Sequence, residues 1–195
     1  MDKRFLRAFL TPSCTHVEGY RLYPWCLKHR IWLMGIESPF VREDCEITVP
    51  DLLIALKVCS ETPIGKPTWG DKWLGFRLTM DRPRFEAACK ALVGHMDTSE
   101  VWPKFYEKKN EAGGGDAGTV PWPLSIVANL TKHGISYQDA MQMPEAKAIW
   151  LSTVFAINAG AKLAILTTED EELIDSLPKV EASPPPPPPP KKKKR

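Results

Sequence analysis

Histidine and cysteine are the residues of this sequence best suited to hold a metal or act as nucleophiles. The chain has four histidines and five cysteines. Cys26 and His29 lie three positions apart on a predicted helix and share a face. A zinc site needs three or four ligands at defined spacings, and no companion motif lies nearby. We therefore predict no metal and no cofactor, and we interpret Cys26 as a packed thiol beside a partly exposed imidazole.

The cysteines also lack the setting of a catalytic nucleophile. Such a thiol lies at an exposed helix start beside a base, whereas Cys59 and Cys89 fall in apolar stripes of predicted helices. The odd count and irregular spacing indicate neither a disulfide framework nor a paired zinc knuckle. We predict no catalytic residue and expect a non-enzymatic protein.

Two further motifs have structural explanations. The run Gly113–Gly115 lacks the Gly-Lys-Ser/Thr end of a phosphate-binding loop and does not follow a strand, so residues 111–120 are predicted to be a flexible loop. The acidic residues 169–172 fall in the first turn of a predicted helix, where the helix dipole favours negative charge.

Tryptophan is unusually frequent, with seven in 195 residues. Trp69, Trp73 and Trp122 lie next to proline or glycine, and we predict that they are exposed partner-binding residues. The alternative is that they cover the core. The tryptophans on predicted helices are expected in the core: Trp25, Trp32, Trp102 and Trp150.

Hydrophobic periodicity predicts a mainly α fold, a compact bundle of about five to seven helices. Helices are predicted at residues 24–35, 48–59, 99–109 and 145–158, residues 61–75 are predicted to form a loop, and Thr168 with Glu171 forms a capping-box signature before a last short helix. Alternation around Glu18-Gly19 is compatible with a small N-terminal β-hairpin.

The chain is predicted to divide into four parts. These are an N-terminal helical region, 1–110, the glycine-rich loop, 111–120, a C-terminal helical region packed on the first, 121–178, and a disordered Pro/Lys tail, 179–195. Residues 191–195 are all basic, and without them 21 Lys and Arg stand against 24 Asp and Glu. The body therefore gives little reason to expect a nucleic-acid surface.

No segment reaches the ~18 to 20 consecutive apolar residues of a membrane-spanning helix. The N-terminal sequence MDKRFLRAFLTPS is too short and too charged for a secretory signal. We expect a soluble, intracellular protein without membrane contact.

The tail combines Pro184–Pro190 with a basic cluster. Polyproline extends by ~3.1 Å per residue and would hold the cations ~20 Å from the body. The cations are predicted to contact nucleic acid or an acidic surface, to form a nuclear address, or to reflect a slippery coding stretch at which the ribosome changes frame. The basic residues are Lys191, Lys192, Lys193, Lys194 and Arg195.

A frameshift at such a coding end is what we expect of tail assembly chaperones of long-tailed bacteriophages, which are often made in a short and a frameshifted long form. The body also resembles small phage and prophage proteins of the tail module. The segments that carry this resemblance are spread over residues 23–150, about two thirds of the chain, and are 23–29, 37–40, 51–60, 121–123, 133–136 and 143–144 with Trp150.

The resemblance implies a helical, non-enzymatic protein of the host cytoplasm. It would bind the hydrophobic, coiled-coil-prone tape-measure protein until tail-tube subunits polymerise around it. Tail-tube subunits and further copies of the chain are additional partners that it allows. The alternative function is a nucleic-acid-associated adaptor anchored by the basic tail.

Overall fold

A computed structural model of the protein describes residues 3–10, 14–42, 45–106 and 120–176. Within these residues there are nine α-helices, a 3₁₀ turn and two small two-stranded sheets. In chain order they are α1 (Lys3–Phe9), β1 (Thr15–Val17), β2 (Tyr20–Leu22), α2 (Leu27–Gly35), α3 (Val49–Cys59), α4 (Trp69–Met80), α5 (Arg82–Met96), the 3₁₀ turn (Ser99–Val101), β3 (Lys104–Phe105), α6 (Trp122–Lys132), α7 (Tyr137–Gln142), α8 (Glu145–Asn158), β4 (Ile165–Leu166) and α9 (Thr168–Ser176). The mainly α prediction is confirmed, although the described residues form more than the expected five to seven helices.

The N-terminal hairpin joins β1 to β2 in antiparallel register, with Val17 opposite Tyr20. Its two turn residues, Glu18 and Gly19, have φ of 49° and 88°. Positive φ at both central positions is typical of the tight turn that matches strand twist. The hairpin is therefore where the alternation placed it.

Of two predicted helix caps, the one at Thr48 is confirmed and the pairing of Thr168 with Glu171 is wrong. Thr48 caps α3, and the side chain of Asp51 accepts a hydrogen bond from Thr48 N at 2.9 Å. At α9 the capping pair is Thr167 with Asp170, whose amide donates to Thr167 Oγ1 at 3.2 Å. Glu171 instead accepts from Lys104 Nζ at 2.9 Å, because an ion pair to the body competes for its carboxylate.

Two segments differ from their predicted structure. Residues 61–75 were expected to form a loop, yet α4 begins at Trp69, because a capping box at Thr68 and Asp71 starts a helix that tolerates Gly70 and Gly75. The helical piece expected from residue 99 ends after one 3₁₀ turn, since Pro103 restricts the residue before it and strand β3 follows.

The core consists of three apolar clusters. The largest packs the hairpin, α2, α3, α4 and α5 together, the second joins α2 to α6, α7 and α8, and the third joins α1 to α8. Helix α2 contributes Leu33 to the first cluster and Leu27 to the second. It therefore connects the described parts of the two predicted helical regions.

A buried carboxylate adds a polar contact between these parts. Glu145 is fully buried at the start of α8, where its Oε2 accepts from Trp25 Nε1 at 3.0 Å and its Oε1 from Arg30 at 2.9 Å. Burial raises the pKa of Glu145, while the hydrogen bonds from Arg30 and Trp25 lower it. These hydrogen bonds fix the start of α8 against α2.

The tryptophan predictions have a mixed outcome. Trp25 and Trp150 are buried as expected, whereas Trp32 is 52% exposed. The expectation for Trp32 was wrong because α2 directs Leu27, His29 and Leu33 inward and leaves Trp32 on its outer side.

Several predictions concern residues outside the described ranges. They include most of the glycine-rich loop and the whole tail, with the candidate nucleic-acid contacts Lys191–Arg195. Among the residues that are described, no helix is both long and apolar enough to cross a bilayer.

Candidate partner-binding surface

Helix α4 carries a row of large apolar side chains that face solvent. Trp69, Trp73, Phe76 and Met80 are between 57% and 87% exposed. Their spacing of four, three and four residues places all of them on one side of an α-helix. We call these four residues the α4 stripe. Trp73 and Phe76 stack within it, with ring centroids 6.0 Å apart.

The opposite side of α4 is also apolar and lies in the core. Leu74 and Leu78 are buried in the largest cluster, against residues of α3 and α5. An apolar face on each side of a helix is expected for a helix covered on both sides. Only one side of α4 is covered within the described part of the chain.

Asp71 fixes the rotation of α4 about its axis. Its carboxylate accepts hydrogen bonds from Lys57 Nζ on α3 at 2.7 Å and from the Tyr20 hydroxyl on β2 at 2.6 Å. It also accepts from Thr68 N at 2.6 Å as part of the capping box. Because Asp71 points inward, the α4 stripe, on the far side of the helix, points outward.

The electrostatics of this network favour an ionised carboxylate. The hydrogen bonds from Lys57 and Tyr20 hold the pKa of Asp71 well below its usual range. Burial, followed by the hydrogen bond to Asp71, raises the pKa of Tyr20 far above its usual value. The network therefore stays ionised at Asp71 and neutral at Tyr20 throughout the physiological range, as expected of a structural anchor.

The charges around the α4 stripe are basic. Lys72 lies on one side of the stripe, with its Nζ 5.7 Å from the Trp69 ring centroid, and Arg77 lies on the other. Both are exposed, and neither forms an ion pair with any residue that the structure describes. They are free to pair with acidic groups of a partner.

A broad groove adjoins the stripe at Trp73. It has a volume of about 1040 Å³ and lies between α4, the hairpin and the segment that precedes α4. Exposed Lys66 and Arg77 line it, while Arg84 at its edge is paired with Glu18 at 2.6 Å. The groove therefore extends the surface formed by the α4 stripe and its flanking basic residues away from the helix.

The third predicted binding tryptophan has a different setting. Trp122, 39% exposed, begins α6, and its ring packs edge-on against Trp102 at 5.8 Å between centroids. The guanidinium of Arg30 lies 5.2 Å from the Trp122 ring centroid. Trp69 and Trp73 are thus brought together on the stripe, and Trp122 is not part of it.

No known family, curated protein or solved structure matches this chain. The local chemistry is therefore the basis for any functional interpretation. Among the described residues, no group of three or more His, Cys, Asp or Glu side chains is arranged to hold a metal. Cys26, Cys59 and Cys89 are buried, and burial raises the pKa of each thiol.

Phe76 and Met80 also belong to this surface, although the sequence pattern did not predict them there. The interpretation of residues 61–75 as a loop hid the helical spacing that joins them to Trp69 and Trp73. The signal that could have revealed them is Thr68 followed three residues later by Asp71, which predicts a helix start.

Proposed function

We propose that this protein is a non-enzymatic assembly factor, similar to phage tail assembly chaperones, that binds an amphipathic helix of a tape-measure protein through α4. The observation that supports the proposal is the α4 stripe, a row of four large apolar side chains exposed on a helix that is anchored on its other side. Clusters of exposed aromatic residues rimmed by charge mark protein interaction sites.

The shape of the surface fits a helical partner. Trp69 and Met80 are separated by 11 positions, and at 1.5 Å per residue the stripe is ~16 Å long. A partner helix of about three turns would cover it with apolar anchors at positions i, i+3 or i+4, and i+7. A long coiled-coil partner would offer many such segments.

The charges specify the partner helix further. Lys72 and Arg77 flank the stripe, and both are exposed. A helix whose apolar face is bordered by Asp or Glu would pair with them, whereas a basic helix would be repelled. With one aromatic-rich stripe as the contact, we expect an affinity on the order of micromolar, because association costs offset much of the apolar gain.

Co-expression with the tape-measure protein tests the proposal. The expected result is soluble tape-measure protein with the wild-type chain and insoluble protein with the double variant Trp69→Ala/Trp73→Ala. The matched control is Tyr137→Ala, which removes an aromatic side chain that is 61% exposed on α7. A tape-measure protein that is equally soluble with both variants, or insoluble in every case, would refute the proposal.

A further inference from the structure

A second cavity lies beside the last turn of α3, on a different side from the groove that adjoins the α4 stripe. It has a volume of about 360 Å³, opens to solvent and is bordered by α2, the last turns of α3 and the segment that follows. Trp32, Val58, Pro63 and Ile64 give it apolar walls. The polar residues of its lining are Lys28, His29, Lys57, Glu61 and Thr62. Its volume falls within the range of small-molecule sites.

His29 is the unusual group of this cavity. The residue is 1% exposed, and neither ring nitrogen has a hydrogen-bond partner among the described residues. A buried polar group without a partner costs about 1 to 3 kcal/mol, so native structures seldom retain one without a reason. Burial lowers the pKa of His29 to about 4, so the ring is neutral at physiological pH and keeps one N–H donor.

The separation of His29 and Glu61 is short enough for one hydroxyl group to contact both side chains. His29 Nε2 lies 3.8 Å from Glu61 Oε1, too far for a direct hydrogen bond. A hydroxyl oxygen within ~2.8 Å of both atoms would bridge them. Lys28 Nζ donates to the same Glu61 oxygen at 3.1 Å, and a carboxylate oxygen has a lone pair left for a second donor.

We propose that this cavity binds a small hydroxylated aromatic molecule of the phenol class. The ring packs among Trp32, Val58 and Ile64, and the hydroxyl oxygen accepts from His29 Nε2–H while its own proton is donated to Glu61. This site is independent of the α4 stripe and of the proposed assembly function.

The polar pair makes the site selective for the hydroxyl. An aromatic molecule without one would fill the same apolar volume but leave His29 unpaired. Sites that hydrogen-bond a hydroxyl reject the analogue that lacks it by large factors, up to ~10⁴ in favourable cases. Discrimination between a phenol and its deoxygenated analogue is therefore the property to measure.

The experiment compares p-cresol with toluene on the full chain. Titrations followed by NMR of the His29 and Trp32 side chains are expected to show saturable binding of p-cresol and at least tenfold weaker binding of toluene. Equal affinity for the two compounds, or no binding of p-cresol because an ordered water fills the gap, would overturn the assignment.

Variants separate the hydrogen bond from simple packing. His29→Leu is expected to abolish the preference for p-cresol over toluene. Glu61→Asn is a second variant should His29→Leu not fold, because Glu61 has φ of 53°, which Asn tolerates, and the shorter side chain cannot reach the hydroxyl. It is expected to reduce the preference at least fivefold, and an unchanged preference would contradict the proposed bridge.

N-acetyltyrosinamide distinguishes the two sources of a phenol group. It carries the p-cresol ring on a peptide unit. Binding of p-cresol alone assigns the site to a free small molecule, and equal binding of both compounds assigns it to a tyrosine side chain of a peptide. Either outcome supports the phenol chemistry, and binding of neither refutes it.

Discussion

Lys57 Nζ donates to Asp71 Oδ2 at 2.7 Å, and both side chains are more than nine-tenths buried. This ion pair joins α3 to α4, two helices that also pack together in the largest apolar cluster. It holds the inner face of α4 in place and so leaves the α4 stripe at the surface. The surface therefore depends on a polar contact that lies beneath it.

Removing the charge of Asp71 should destabilise the protein. In Asp71→Asn the Lys57 ammonium stays buried without a counter-charge, and we expect the free energy of unfolding to fall by about 3 to 5 kcal/mol. Urea denaturation measures this. The double variant Asp71→Asn/Lys57→Met should recover part of the loss, since it no longer buries an unpaired charge. A single variant as stable as wild type would show that the pair does not anchor α4.

The α4 stripe should matter for binding and not for folding. Trp69→Ala and Phe76→Ala remove exposed side chains, so the free energy of unfolding should change by less than about 0.5 kcal/mol. Leu78→Ala on the opposite face, where Leu78 is 1% exposed, should cost about 2 to 5 kcal/mol. Thermal or urea unfolding compares the three. Large losses in the stripe variants would mean that these residues are covered in the free protein.

His29 predicts a dependence of stability on pH. The pKa of His29 is lowered to about 4, chiefly by burial. The charge of Glu61 opposes this shift, and those of Lys28 and His95 lower the pKa further. The unfolded chain, with a histidine pKa near ~6.5, binds more protons between these values. Stability should therefore rise with pH from about 4 to about 6.5, by as much as ~3 kcal/mol.

Urea denaturation of the apo protein at several pH values tests this slope. His29→Leu should lack the contribution. The control His16→Gln, which changes an exposed histidine on β1, should keep it. Identical pH profiles for wild type and His29→Leu would contradict the burial of a neutral imidazole.

The Glu145 contacts should stabilise the packing of α8 against α2. Glu145→Gln removes the charge that Arg30 faces and weakens the hydrogen bond from Trp25, and we expect a loss of about 2 to 4 kcal/mol in unfolding free energy. The control is Glu86→Gln, which removes one partner of the exposed Arg82 pair on α5 and should cost less than about 0.5 kcal/mol. Similar losses in both variants would show that burial of Glu145 adds nothing.

The sequence predicts helices well where caps and apolar periodicity agree. Thr48 starts α3 at the expected residue, and α8 spans Glu145–Asn158 as expected. The hairpin at Glu18-Gly19 was also predicted, because turns with positive φ favour glycine. These features depend on local interactions that a single sequence reveals.

The candidate surface was only partly predictable. Trp69 and Trp73 were identified by residue type, but their helix was not, since glycines and nearby prolines outweighed the capping pair Thr68 and Asp71. An apolar face on both sides of α4 also gives little helical periodicity. The pairing of Asp71 with Lys57 and Tyr20 joins distant parts of the chain, and no local pattern predicts such contacts.

The binding of designed peptides is the decisive test of the α4 stripe as a docking surface for an acidic amphipathic helix. Two helical peptides with the same apolar stripe, one flanked by glutamates and the other by lysines, are titrated into the full chain by calorimetry. The α4 stripe is expected to bind the acidic peptide at least tenfold more tightly than the basic one. The Trp69→Ala/Trp73→Ala variant should lose this binding and Tyr137→Ala should keep it. Equal affinity for both peptides, or acidic-peptide binding that survives loss of the two tryptophans, would contradict the assignment of the α4 stripe as the binding surface.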